Sequence, residues 1–192
     1  MRNPISATYQ LFDDTLMTGA NYAVRSYNWT TGGTKEDLAN NLVSAWVIAL
    51  SIGEVFREGA TGVICAPIYF AVGHFNQKNN NSLGKKETDA LRKGYLDPYT
   101  ESGKTAYKIT GPMCLAWGAS HLVFAQSFDN ENLNLKLANV LDGIGFGLCG
   151  TSMYVMRADP VKPGKSVFSR IGDRASELYE GYRKPALQPF EG

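Results

Sequence analysis

The sequence predicts an all-α chain: a four-helix transmembrane bundle with an amphipathic helix at each end. Three observations predict it. Four stretches, about 38–56, 60–76, 109–128 and 135–156, are uncharged or nearly so. At roughly 16 to 20 residues they approach the roughly 20 that a helix needs to cross the hydrocarbon core. If they cross, both termini and residues 77–108 share one side, and that side holds every Lys and Arg except Arg57 and Lys136. This is the asymmetry that the positive-inside rule describes. The last stretch, Asn134 to Met156, is crowded with glycine around Asp142-Gly143-Ile144-Gly145-Phe146-Gly147-Leu148-Cys149-Gly150. A mean hydropathy of −0.21 is low for four crossings, so the charge distribution carries the reading.

The 192 residues fit one domain, divided into an N-terminal amphipathic helix (1–33), a membrane bundle (34–156) and a C-terminal helix with its tail (157–192). Nineteen Lys and Arg against 18 Asp and Glu leave a formal charge of +1, with no basic footprint for a nucleic acid. Cys65, Cys114 and Cys149 are far apart in apolar runs, which suits reduced, buried thiols rather than a disulfide framework or a zinc site. Met1-Arg2-Asn3-Pro4 leads into a polar segment, so no cleaved export signal is expected. Without one, the match of Asn28-Trp29-Thr30 to the glycosylation acceptor means little.

The first element is a helix with Asn3 as cap and Pro4 in its first position. Ile5, Tyr9, Phe12, Leu16, Ala20, Ala23 and Tyr27 make one apolar stripe, expected to pack on the rest of the chain because its polar face is poor in Lys and Arg. Thr31-Gly32-Gly33 breaks the chain. Thr34 with Asp37 reads as a capping box opening a second helix, uncharged from Leu38 to Gly53 and stopped near Gly59.

The third run, 60–76, holds Pro67 in its interior, where a missing amide predicts a kink that membrane helices tolerate. Asn76 to Ser82 is a polar break, Lys85 to Tyr95 a short surface helix, and Asp97-Pro98 and Ser102-Gly103 read as turns. The fourth run, 109–128, has Gly111-Pro112 near its start, and a tight turn at Asp129 to Asn132 leads into the fifth helix. Ser166 caps a last helix whose Phe168, Ile171, Ala175, Leu178, Tyr179 and Tyr182 form a stripe among alternating charges, ahead of an extended tail with Pro185 and Pro189.

Gly145-Phe146-Gly147-Leu148-Cys149-Gly150 matches GxGxxG, but a phosphate-binding loop follows a strand, and Leu133 to Leu141 reads as helix. The expected role of Gly143, Gly147 and Gly150 is close helix approach within a membrane, so Gly147→Leu is expected to disturb assembly. A haem shared by the two histidines is excluded by depth. At 1.5 Å per residue, His74 lies about 3 Å inside its span from the basic side and His121 on the order of 18 Å. The same arithmetic puts His121 and Asp142 each roughly 10 to 12 Å from the opposite surface on consecutive antiparallel helices. A buried acid in a membrane needs a partner, so a His121–Asp142 contact is expected, as a register-fixing pair or as part of a proton or ion path. Glu54 reads as interfacial.

No nucleophile elbow, HExxH, Walker loop or carboxylate pair appears, so no catalytic residue, cofactor or metal site is expected. The functional expectation is a non-catalytic subunit of a larger membrane-embedded complex, with other membrane-protein subunits and the lipid bilayer as partners and both termini on the basic side. Two rivals remain: a small channel or transporter using His121 and Asp142, and a soluble helical bundle that binds a protein or a hydrophobic ligand.

Overall fold

The computed structural model describes residues 4–59, 101–128 and 132–183. Among these the chain is entirely helical, with α1 Pro4–Thr31, α2 Lys35–Glu58, α3 Glu101–Ala125, α4 Leu133–Arg157 and α5 Val167–Arg183. The expected span at 60–76 with Pro67, Cys65, His74, the expected helix at Lys85 to Tyr95, residues 129–131 of the expected turn and the proline-containing tail lie outside the described residues.

Local chemistry sets the helix ends. Thr34 Oγ1 accepts the Asp37 amide at 3.3 Å while Asp37 Oδ2 accepts the Thr34 amide at 2.7 Å, the reciprocal arrangement of a capping box. Gly32, at φ 79°, makes the turn between α1 and α2, a conformation that costs glycine nothing and other residues appreciably. The Ser166 hydroxyl accepts the Ser169 amide at 3.1 Å and starts α5. One expected turn is absent: α3 begins at Glu101, so Ser102-Gly103 lies in its first turn. Amides in that turn have no intrahelical partner in any sequence, so glycine's weak helix propensity costs little there.

The helix α4 is the centre of the fold and runs antiparallel to both α2 and α3, which flank it. Gly53 of α2 sits against Ala138 and Asp142 of α4, while Lys35, at the other end of α2, reaches Met156 and Ala158. On the other flank, Gly111 of α3 meets Tyr154, and Gly118 meets Gly143 and Gly147.

The long helix α1 lies against the C-terminal end of α4, where Ala20, Val24, Ala39, Tyr154, Val155 and Ala158 form the apolar cluster. Its inward face is Asp13, Leu16, Met17, Ala20 and Val24, which keeps Leu16 and Ala20 of the expected stripe but leaves Phe12 49% exposed. Asp13 on this face is paired with Arg157 of α4.

A second tie joins α1 to α3. Pro112 has no amide to offer the Lys108 carbonyl four residues back. Tyr9 donates its hydroxyl to that carbonyl at 2.6 Å.

Of the described helices, α2 alone combines the length and apolarity needed to cross a membrane. Of the three expected spans that fall among the described residues, α2 is thus the one that meets both conditions. The 25-residue helices α3 and α4 are long enough, about 37 Å at 1.5 Å per residue. In α4 the buried residues include Asn139, Asp142, Gly143, Gly145, Gly150 and Ser152, and these polar and small residues lower its mean hydropathy.

Among the described residues the fully buried positions are mostly small, with Leu16, Met17, Leu38, Leu42 and Leu115 half-buried around them. Every buried apolar residue among the described ones is Ala, Val, Cys or Tyr, and the largest fully buried side chains are only Val24 and Val155. Other large apolar side chains lie outside: Ile48 and Ile52 on α2, Met113, Trp117 and Val123 on α3, and Ile144 on α4. The helix α5 is exposed from Phe168 to Glu180, including its stripe residues Phe168, Ile171, Leu178 and Tyr179. Arg170 ties it back by donating to the Trp29 carbonyl at 3.1 Å.

Candidate functional site

The site is built where the C-terminal end of α2 meets the first half of α4. Asp142 projects from α4 toward α2 and is only 4% exposed. Room for its carboxylate comes from Gly53, where a Cβ would stand 2.9 Å from Asp142 Oδ1. One turn beyond Gly53, Arg57 donates from Nη2 to Asp142 Oδ2 and from Nη1 to Glu54 Oε1, the latter at 2.6 Å. Its planar fork thus serves two carboxylates at once, a geometry that a lysine ammonium cannot reproduce.

The α3 side is contributed by His121. The Asn139 amide group donates to the Leu135 carbonyl at 2.8 Å, which fixes its orientation and turns Oδ1 toward His121. His121 Nδ1, 2.9 Å from that oxygen, therefore carries the proton and donates it. The imidazole stacks on Phe146 at 5.8 Å between centroids, with the Trp117 edge 5.7 Å away. These groups, with Leu50, Glu54 and Arg57, line a cavity of about 350 Å³.

The structure brings the expected pair His121 and Asp142 to 3.9 Å between Nδ1 and Oδ2. At that separation they are neighbours, and each has its hydrogen bond elsewhere: His121 to Asn139, Asp142 to Arg57. Sequence reasoning missed Arg57 and Asn139. Their identities were a signal of a sort, an arginine one turn past an apolar run and an amide inside one, but nothing local names their partners.

The glycines divide by position. A Cβ on Gly143 would lie 2.6 Å from Leu122 Cγ, and one on Gly150 would lie 2.7 Å from Leu115 Cγ and 2.8 Å from the Gly111 oxygen. A Cβ on Gly147 meets nothing within 4 Å, which corrects the expectation that Gly147 carries the close approach through its own missing side chain. Gly147 contributes backbone: its amide nitrogen would be 2.9 Å from a Cβ on Gly118. The contact therefore follows a spacing of seven on both helices, Gly111 and Gly118 against Gly150 and Gly143, rather than the GxxxG spacing read from one helix.

At the opposite end of α4, Arg157 donates from both terminal nitrogens to the two carboxylate oxygens of Asp13, each at 2.7 Å. Hydrogen bonding to the guanidinium holds the Asp13 carboxyl below its ordinary range against the opposing effect of burial, and the same bond holds Arg157 above its own. Lys35 donates to the Met156 and Ala158 carbonyls at 3.1 and 2.8 Å, placing a cation at the negative end of the α4 dipole. Cys114 and Cys149 are free thiols, Cys149 buried, and no cluster of metal-binding side chains occurs among the described residues.

No family model, no curated protein and no solved structure matches this chain.

Proposed function

We propose that the chain is a multi-pass membrane protein serving as a non-catalytic subunit of a larger membrane-embedded assembly, with both termini on the basic side. The observation that carries this reading is that, among the described residues, the buried positions of α4 are largely glycine, alanine, serine and asparagine while Ile48, Ile52, Met113, Trp117, Phe124 and Ile144 are exposed. In water that arrangement exposes apolar surface and gains little from the core. In lipid it is favourable, because close helix contact rather than apolar burial drives association. The cations agree: Lys35 and Arg157 stand at the ends of α2 and α4, and Lys108 in the first third of α3, on one side.

Assembly rather than turnover follows from the site's chemistry. Asp142 already has Arg57 as its counter-ion, which suits a pair that fixes helix register better than a carboxylate that must exchange protons or ions. The exposed stripe of α5 offers a docking surface to a neighbouring subunit.

Alkaline carbonate extraction of membranes containing the chain tests the first half. Retention in the pellet is expected, and release by carbonate or high salt overturns the spanning reading. Native electrophoresis in mild detergent tests the second half, where migration as a single 21.0 kDa chain overturns membership of an assembly.

A further inference from the structure

Three side-chain contacts between α3 and α4 follow one line. Thr110 donates its hydroxyl to the Met153 sulfur at 3.2 Å, the Trp117 and Phe146 rings meet at 6.5 Å between centroids, and His121 stands 3.9 Å from Asp142. Along α3 these positions advance by seven and then four residues, and along α4 they recede by the same steps, as facing stripes on two antiparallel helices do. Cys114, four residues past Thr110, and Cys149, four before Met153, complete the line opposite each other. The Cys149 thiol accordingly has the Cys114 sulfur as a hydrogen-bonding neighbour.

Close helix approach brackets the pair. A Cβ on Gly150 would stand 2.8 Å from the Gly111 oxygen, and one on Gly118 would stand 2.7 Å from the Gly143 oxygen. Backbones held this close favour the Cα separation of about 4.4–6.8 Å that a disulfide spans. Both sulfurs are free thiols, Cys149 only 6% exposed and Cys114 half-buried beside exposed Met113 and Trp117.

We propose that Cys114 and Cys149 form an oxidisable dithiol, which a peroxide closes into a disulfide tying α3 to α4. Cys114, the more accessible, meets the oxidant first. Its sulfur attacks hydrogen peroxide, the O–O bond breaks, and the departing hydroxide takes the thiol proton as water, leaving a sulfenic acid. The Cys149 sulfur then attacks the sulfenic sulfur, so that the S–S bond forms, the S–O bond breaks and the Cys149 proton leaves in a second water. Two thiols and one peroxide give one disulfide and two waters, a two-electron oxidation of sulfur. Buried thiols react slowly with dissolved oxidants, and the second step is carried by the proximity of the two sulfurs. A dithiol reductant reopens the bond by exchange. The closed form holds α3 on α4 in the register of the glycine contacts, whether the helices lie in lipid or in water.

The test uses the full chain with Cys65→Ser, so that Cys114 and Cys149 are its remaining cysteines, reduced and purified in mild detergent. After hydrogen peroxide and then catalase, the chain is denatured, alkylated with N-ethylmaleimide and weighed intact. A chain lighter by two hydrogens that takes up no maleimide is expected, with two maleimides taken up after dithiothreitol. Cys114→Ser/Ala116→Cys moves the thiol to the exposed side of α3 and is expected to give on the order of tenfold less intramolecular disulfide. The closed chain is expected to melt at a higher temperature than the same chain reduced.

Two maleimides on the peroxide-treated chain overturn the proposal, as does addition of oxygen at Cys114 while Cys149 is still alkylated. Equal disulfide from the Ala116→Cys chain overturns it as well, because that bond forms only if the helices come apart. A closed chain that melts below the reduced one overturns the tie, since the bond would then strain the register it should hold.

Discussion

Gly118 of α3 and Gly143 of α4 meet backbone to backbone: a Cβ on Gly118 would stand 2.7 Å from the Gly143 carbonyl oxygen, and a Cβ on Gly143 would stand 2.9 Å from the Gly118 oxygen. Neither clash can be relieved by turning a flexible side chain, so only separation of the helices accommodates a methyl group at either position.

The contact predicts a difference between neighbouring glycines. Gly118→Ala and Gly143→Ala should each cost about 1–3 kcal/mol, as overpacking does elsewhere. Gly147→Ala should be neutral or stabilising by up to about 1 kcal/mol, because the methyl enters open space and alanine is the better helix former. Thermal melting of the three variants in one detergent checks this, and a Gly147 variant as unstable as the other two would contradict the register described.

The ion pair of Arg57 with Asp142 predicts strong asymmetry between single and double substitution. Arg57→Ala leaves a buried carboxylate without its counter-ion and should cost about 3–5 kcal/mol. Arg57→Met/Asp142→Leu removes both charges and should recover most of that loss, leaving the chain folded. A double variant no better than the single one would show that the pair is needed for more than mutual neutralisation, and would revive a transport role for Asp142.

Asp13 predicts an acid limit to the docking of α1. Its folded pKa lies below the ordinary 3.8, because Arg157 hydrogen-bonds the charged form. Stability from this pair is therefore fully present above the unfolded value and is lost as pH falls through the lower folded one. Emission from Trp29 on α1 should stay constant from pH 8 to about 5 and change only below about 4. In Asp13→Asn the acid transition should be reduced, with lower stability at neutral pH. A transition of equal size in that variant would assign the acid limit to other carboxylates.

Much of the local structure was legible in the chain: the α1–α2 break at Gly32, the capping box at Thr34 and Asp37, the stop after Arg157 and the start at Ser166 all depend on neighbours within a turn. The uneven placement of cations was equally legible, because it needs only an order of segments. Determining the face of α1 was different. Its apolar stripe placed Leu16 and Ala20 correctly on the core, but it also pointed Phe12 inward, whereas the structure exposes Phe12 and buries Asp13 and Val24.

What tertiary structure alone decided is partnership. Tyr9 and Lys108 are 99 residues apart, Asp13 and Arg157 are 144 apart, and Arg57 and Asp142 are 85 apart. Periodicity shows which residues share a helix face but not which neighbour that face meets, at what rotation, or at what height along its axis. Glycine shows this most plainly: Gly143, Gly147 and Gly150 look alike on α4, and only the position of Gly111 and Gly118 on α3 separates those that a methyl would clash with from the one that stands in open space.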